Sequence, residues 1–128
     1  MPHLIVHHTA NLAGFDPDLA LAAANRALIA SGHFEPLAIK SRALVLDHFR
    51  VGGADNGHGF VHATLHVMPG RSETVRATLG REVHDALASC LPSLGLQCQL
   101  CVEVVELQPA TYIKTTHAPA SCRRSQHE

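Results

Sequence analysis

The chain has 128 residues, which is enough for one domain with a hydrophobic core and too short for two ordinary domains. With 46% hydrophobic residues and a formal net charge of -1, the composition is that of a globular protein, and it gives no electrostatic case for a nucleic acid or a membrane as partner. No apolar stretch reaches the ~20 residues of a membrane span and no secretory leader opens the chain, so we expect a cytoplasmic protein. In that compartment four cysteines are reduced thiols: Cys90, Cys98, Cys101 and Cys122.

The first predicted element is a short buried strand over His3–His8, directly behind Pro2. If Met1 is removed, Pro2 becomes the terminus and presents a secondary amine, which can act as a proton-transferring base. The alternative is a proline tolerated at a disordered terminus, but the apolar run favours a terminus pinned into a sheet. We therefore predict Pro2 as the catalytic residue, provided that Met1 is absent, because otherwise the Pro2 nitrogen is an amide.

A helix and a second strand follow. A helix is predicted over residues 16–31, since Asp16 suits the N-cap and Pro17 the first helical position. The run 37–46 is typical of a strand. The glycine- and asparagine-rich residues 52–57 then predict a hairpin that leads into the next strand.

The second half of the chain repeats this pattern. Residues 60–67 alternate between an apolar face and a mixed face, as in a half-buried strand, and Ser72 suits the N-cap of a second helix. Gly80 lies inside this helix, where it favours close approach to the sheet. Residues 97–107 predict a fourth strand, and an irregular tail occupies 109–128. The apolar stripe of the helix consists of Val75, Leu79, Val83 and Leu87.

The predicted elements form two strand-helix-strand units, residues 2–46 and 60–107, within a single domain 1–128. Each unit makes a parallel strand pair with a right-handed crossover, which places both helices on one face of a mixed four-stranded sheet. The predicted fold class is therefore α+β, a two-layer structure. The opposite face lacks a cover, so we expect it to pack against copies of the same chain in a closed homo-oligomer.

Several segments together resemble the tautomerase superfamily: Pro2 at the start of a strand, Gly70–Ser72 at the start of the second helix, and the two strand-helix-strand units. Within it, Ile-Lys-Ser-Arg at 39–42 and Phe-Val-His at 60–62 make the chain similar to the 5-carboxymethyl-2-hydroxymuconate delta-isomerase family, from Pro2 to about Lys114. The order and spacing of the segments carry the resemblance, since none is specific alone.

The resemblance implies a cofactor-free isomerase of aromatic-acid breakdown, in the homoprotocatechuate pathway, which shifts a proton in a dienol polycarboxylate. It implies Pro2 as base and then acid, cations that hold the substrate's carboxylates, and a homotrimer with sites between subunits. The matching cations here are Lys40, Arg42 and Arg71. The family usually shows arginine where this chain has Lys40, and lysine lacks the planar fork that grips a carboxylate in two places. The substrate is therefore less constrained than the reaction type.

These cations could also lower the pKa of the Pro2 amine. A secondary amine in water is mostly protonated at neutral pH, so a useful base needs its pKa lowered by desolvation or by nearby positive charge. Lys40 and Arg42 lie two residues apart on a predicted strand and share a face, and Arg71 stands just ahead of a helix. The alternative is that Lys40 and Arg42 are ordinary solvated charges.

The histidines and cysteines do not favour a metal site. His62 and His66 share a strand face but lie about 13 Å apart along the strand, too far for one ion. Cys98 and Cys101 point to opposite faces of a strand, so we predict neither a zinc site nor a redox pair. Residues 112–113 fit either a pocket wall or a subunit contact.

Two other functions stay open on this scaffold. One is a tautomerase-superfamily enzyme with a different unsaturated acid as substrate, for example a decarboxylase or hydratase. The other is a non-enzymatic binding or signalling module, related in shape to macrophage migration inhibitory factor.

Overall fold

The computed structural model describes residues 1–120 and shows two β-α-β units. The first comprises β1 (His3–Thr9), α1 (Pro17–Ala30) and β2 (Lys40–Leu46); the second comprises β3 (His58–Val67), α2 (Glu73–Ser89) and β4 (Gln97–Glu106). Short 3₁₀ turns occupy Pro36–Ala38 and Pro109–Thr111. The part of the predicted tail beyond residue 120, with Cys122, lies outside the described residues.

The four strands form one sheet in the order β2-β1-β3-β4. The pairs β1–β2 and β3–β4 are parallel, and β1 and β3 are antiparallel. The predicted α+β fold with a mixed four-stranded sheet is therefore confirmed.

The predicted hairpin between the second and third strands is wrong, because β2 and β3 lie on opposite sides of β1. Residues 47–57 instead cross the C-terminal end of β1. Gly52 and Gly53 form only a short local turn, which is closed by a bridge between Val51 and Ala54. Turn residues indicate that a chain bends, but they do not determine which strand it joins afterwards.

Both helices begin where their caps predict. The Asp16 side chain accepts hydrogen bonds from the amides of Asp18 (3.0 Å) and Leu19 (3.3 Å), and Ser72 Oγ accepts one from the Val75 amide (3.2 Å). These bonds satisfy amides that have no partner within a helix. No helix in the described part of the chain is long and apolar enough to cross a membrane.

The core lies between the two helices and one face of the sheet. A Cβ built on Gly80 would lie 3.3 Å from Val104 Cγ2, so the predicted close approach of α2 to the sheet is confirmed. The fully buried apolar side chains come from β1, β3 and both helices: Leu4, Val6, Ala24, Leu28, Val61, Ala63, Leu65, Val67, Val83.

The other face of the sheet is half-exposed, and among residues 1–120 no helix lies on it. We call it the open face. Strand register places the following side chains on its central part: His3, Ile5, His7, Lys40, Arg42, Leu44, His62, Thr64, His66. The face carries two of the predicted site cations at its β2 edge.

Candidate active site

The chain terminus is fixed at the start of β1. The Pro2 side chain is fully buried, and its carbonyl oxygen accepts a hydrogen bond from the Lys40 amide at 3.1 Å. The Met1 amine donates to the Ala38 carbonyl oxygen at 3.0 Å. The terminus is thus held between β1 and the turn before β2, and the alternative of a disordered terminus is wrong.

The terminal amine lies in surroundings that disfavour its charged form. Burial, together with the charges of Lys40, Lys114 and Arg71 and a hydrogen bond from Lys40, lowers the pKa of the Met1 amine from 8.0 to about 6. Burial is the largest of these causes. An amine with this pKa is mostly neutral at pH 7. The nitrogen of Pro2 lies one residue further along the chain.

Arg71 is fixed by contacts with the loop that follows α1. Its Nη2 donates to the His33 carbonyl oxygen at 3.0 Å, and its guanidinium carbon lies 4.6 Å from the centre of the Phe34 ring. Arg71 directly precedes Ser72, the N-cap of α2, so two elements position the side chain. A guanidinium stacked on an aromatic ring is restrained and still has donors left for an anion.

Lys40 and Arg42 share the open face, as predicted, but they play different parts. Lys40 begins β2 and is among the groups that lower the pKa of the terminal amine, whereas Arg42 is not. Arg42 instead lies beside His3, with 3.4 Å between Arg42 Nη1 and His3 Nδ1. The structure thus brings Pro2, Lys40 and Arg71 together and leaves Arg42 one step further along the face.

Lys114 is a cation that the sequence did not indicate as a site residue. It lies in the irregular segment after β4, where no periodicity determines the path of the chain. The Tyr112 hydroxyl lies 2.8 Å from His3 Nε2 and brings this segment to the start of β1. The only signal in the sequence was that the family resemblance extended to this residue.

The site cations have no counter-charge in the described part of the chain. Within residues 1–120 no carboxylate forms an ion pair with any of them: Lys40, Arg42, Arg71, Lys114. Elsewhere, Arg76 lies 3.4 Å from the Glu106 carboxylate. In a chain of net charge -1, this end of the sheet is therefore a local concentration of positive charge, suited to an anion with several carboxylates.

The histidines and cysteines that were considered as metal ligands or redox groups form neither kind of site in the described part of the chain. His62 Nε2 lies 3.3 Å from Glu103 Oε1 on the open face. Register with β3 places Cys98 opposite Gly59 and Cys101 opposite His62, so the two thiols lie on opposite faces of β4, as predicted. Among residues 1–120 no three His, Cys, Asp or Glu side chains are grouped to share a metal ion.

Comparison with known proteins identifies several solved structures that are similar to this chain. A solved 5-carboxymethyl-2-hydroxymuconate isomerase from Deinococcus radiodurans R1 is 27% identical, with 91% of this chain and 90% of that chain covered and a TM-score of 0.78. A solved 5-carboxymethyl-2-hydroxymuconate delta-isomerase is 20% identical, with 98% and 93% covered and a TM-score of 0.77. A fused 4-OT, described as a wild-type symmetric trimer, is 15% identical, with 81% and 85% covered and a TM-score of 0.62.

The last two similarities show the fold alone, and no curated protein sequence matches the chain. The profile of the family 5-carboxymethyl-2-hydroxymuconate isomerase matches residues 2–120, almost the whole chain. The chain therefore belongs to the 5-carboxymethyl-2-hydroxymuconate isomerase family of the tautomerase superfamily, and it is an isomerase.

Proposed function

We propose that the chain, once Met1 is removed, isomerises a 2-hydroxymuconate-type dienol polycarboxylate without a cofactor and with Pro2 as the base. The substrate that we favour is 5-carboxymethyl-2-hydroxymuconate, because the family match names it. One observation carries the proposal: the chain terminus, where burial and the charges of Lys40, Lys114 and Arg71 lower the pKa of the Met1 amine to about 6, is where a Pro2 amine would form. An amine and carboxylate-binding cations are the two parts that this reaction needs.

The proton transfer balances within one substrate. The neutral Pro2 amine takes the proton of the dienol O–H, the electrons of that bond form the carbonyl, and the double bonds shift along the conjugated chain. The Pro2 ammonium then gives its proton to a distant carbon, where a new C–H bond forms. One O–H bond is lost, one C–H bond is gained, and the amine returns to its first state. A single group that serves first as the base and then as the acid works best when its pKa lies near the working pH.

The cations have distinct parts in this proposal. Lys40 and Arg71, close to the amine, bind one carboxylate and stabilise the negative charge that develops on the substrate oxygen. Arg42, further along the open face, binds a carboxylate at the other end of the molecule. Binding at both ends fixes the reacting carbon against Pro2, which lowers the entropic part of the barrier.

We further propose that the working assembly is a homotrimer with its open faces turned toward a common axis. Apolar side chains on this face are left partly exposed in a single chain, including Leu44 (45% exposed) and Val105 (37% exposed). The same fold occurs in the fused 4-OT that is described as a symmetric trimer. Packing of the open face places Arg42 at a subunit boundary, so neighbouring subunits complete the site.

One residue keeps a second substrate class in view. Lys40 stands where the resemblance leads us to expect arginine, and a single ammonium binds a carboxylate with less geometric selectivity than a guanidinium. A smaller acid, such as the β-keto acid that a decarboxylase on this scaffold would use with Pro2, is the second candidate.

The test begins with the intact mass of the purified protein, which we expect to lack Met1. Rates are then measured on 5-carboxymethyl-2-hydroxymuconate, 2-hydroxymuconate and a β-keto acid, for the wild type, Pro2→Ala and the control Pro17→Ala. Pro17 begins α1, far along the chain from the site. We expect Pro2→Ala to lower kcat/KM about 10²-fold, the lower end of what a general acid-base group contributes, and Pro17→Ala to leave it unchanged.

Full turnover by Pro2→Ala, or by protein that retains Met1, contradicts the proposed base. If the wild type turns over the β-keto acid and neither dienol, Pro2 remains the proposed base and the substrate belongs to the second class.

A further inference from the structure

The segment after β4 returns to the start of β1. The Leu107 amide donates to the Val67 carbonyl oxygen at 2.7 Å, and the chain then bends through the turn Pro109–Thr111. Tyr112 is half-buried against His3, with the ring centroids 5.8 Å apart in an edge-on arrangement. Lys114, two residues further, is exposed beside the terminal amine.

The donor and acceptor roles of the two ring nitrogens of His3 follow from their partners. The Arg42 guanidinium is a donor only, so His3 Nδ1, 3.4 Å from Arg42 Nη1, is the acceptor. His3 Nε2 therefore carries the hydrogen and donates to the Tyr112 oxygen at 2.8 Å. Burial and the charges of Lys40 and Arg42 lower the pKa of His3, which keeps the ring neutral in this role. A directed chain thus connects Arg42 to Tyr112.

We propose that Lys114 binds the carboxymethyl carboxylate of the substrate, and that Tyr112 and His3 are positioning residues that hold its segment against the site. The inference rests on the proposed function and deepens it. It assigns to Lys114 the discrimination between substrates with three carboxylates and substrates with two.

The division of the cations supports this assignment. A muconate carries a carboxylate at each end, and a carboxymethyl arm adds a third as a branch. Lys40 and Arg71 are half-buried near the amine and suit the carboxylate beside the reacting atoms. Lys114 is exposed and belongs to a different segment, the one that Tyr112 holds against His3, so it can meet a branch of the substrate that the half-buried pair does not bind. The uncompensated charge of Lys114 within residues 1–120 leaves it free to bind an anion.

The test compares Lys114→Gln, Lys114→Arg and the control Arg81→Gln, which removes an exposed cation from α2. For 5-carboxymethyl-2-hydroxymuconate we expect Lys114→Gln to lower kcat/KM about 10-fold, mainly through KM, the size of one charge-assisted hydrogen bond. For 2-hydroxymuconate, which has no branch, we expect less than a twofold change when both substrates are compared well above the pKa of the amine, where the loss of the Lys114 charge no longer alters the protonation of the base. Lys114→Arg should keep the wild-type ratio of kcat/KM between the two substrates, and Arg81→Gln should not alter that ratio.

Tyr112→Phe separates positioning from folding. It keeps the ring and removes the hydroxyl, so we expect kcat/KM on the branched substrate to fall about threefold more than kcat/KM on 2-hydroxymuconate. An equal loss on both substrates in Tyr112→Phe, or no selective loss in Lys114→Gln, overturns the inference.

A binding measurement distinguishes failure of this inference from failure of the proposed function. If the wild type turns over neither dienol, the proposed function fails, and the Lys114 site is judged by calorimetric titration with propane-1,2,3-tricarboxylate and with glutarate. We expect Lys114→Gln to weaken the binding of the tricarboxylate about 10-fold and the binding of glutarate less than twofold. Equal weakening of the two ligands, or no weakening, rejects Lys114 as the third carboxylate site.

Discussion

At the scale of single residues, the terminal amine owes its low pKa to two kinds of cause. Burial at the start of β1 removes water from the charged form, and Lys40, Lys114 and Arg71 repel it. Pro2 shares these surroundings because its carbonyl is bonded to the Lys40 amide. In the proposed mechanism, the cations that bind the substrate therefore also lower the pKa of the base.

This dependence gives a pH prediction. In the proposed mechanism the neutral Pro2 amine is the active form, so we expect kcat/KM to rise with pH through the pKa of that amine. Lys40→Gln removes a positive charge, the protonated amine becomes easier to form, its pKa rises, and the rise in kcat/KM moves to higher pH. Lys40→Arg keeps the charge and the wild-type profile. The measurement is a pH profile of kcat/KM.

The control for that profile is Arg26→Gln, which removes an exposed cation from α1. An identical shift in Lys40→Gln and Arg26→Gln indicates a general effect of net charge, and an unshifted Lys40→Gln contradicts the coupling between Lys40 and the amine.

At the scale of elements, the caps and the alternating patterns were predictable because each depends on neighbours within a few residues. Asp16 and Ser72 cap their helices as expected, and every second residue from Val61 to Val67 faces the core. The hairpin prediction at 52–57 failed, because strand pairing is decided by contacts between distant segments. The short turn there is real, but β3 pairs with the other side of β1 and not with β2.

The start of β3 offers a test of this packing. A Cβ built on Gly59 would lie 2.7 Å from Thr9 Oγ1 and 2.8 Å from Asn11 Oδ1. The same Thr9 hydroxyl accepts a hydrogen bond from the Phe60 amide at 3.1 Å. We expect Gly59→Ala to lower the free energy of unfolding by about 1–3 kcal/mol, the usual cost of overpacking, as measured by denaturant unfolding.

Gly53→Ala is the matched control, since a Cβ there meets no atom within 4 Å and the backbone has no positive φ. A stability change of the same size in both variants means that the close contacts of Gly59 are not the cause.

At the scale of the whole molecule, the sheet has one face covered by helices and one open. The open face combines half-exposed apolar side chains with a row of polar ones, as expected for a surface that packs against copies of itself. The predicted site lies at one end of this face. Assembly and catalysis are therefore coupled in the proposed trimer, because Arg42 lies where subunits meet.

We predict a trimer by sedimentation velocity at micromolar concentration. Ile5→Asp places a carboxylate at the centre of the open face, where burial against another subunit is costly, so we expect a shift to monomer and a loss of activity. Leu19→Asp introduces the same group on α1, where Leu19 is 63% exposed, and should leave the trimer intact. A trimer that survives Ile5→Asp, or a monomeric wild type, contradicts the proposed interface.

The sequence by itself determined the elements, the mixed sheet and the family, because periodicity, caps and short motifs are local and are legible along the chain. It also indicated Pro2, Lys40, Arg42 and Arg71 as the site to test. Only the tertiary structure decided the order of the strands, the separation of Arg42 from the terminal amine, and the return of Lys114 to the site. These depend on which distant segments pack together, and the Tyr112–His3 contact joins residues 109 positions apart.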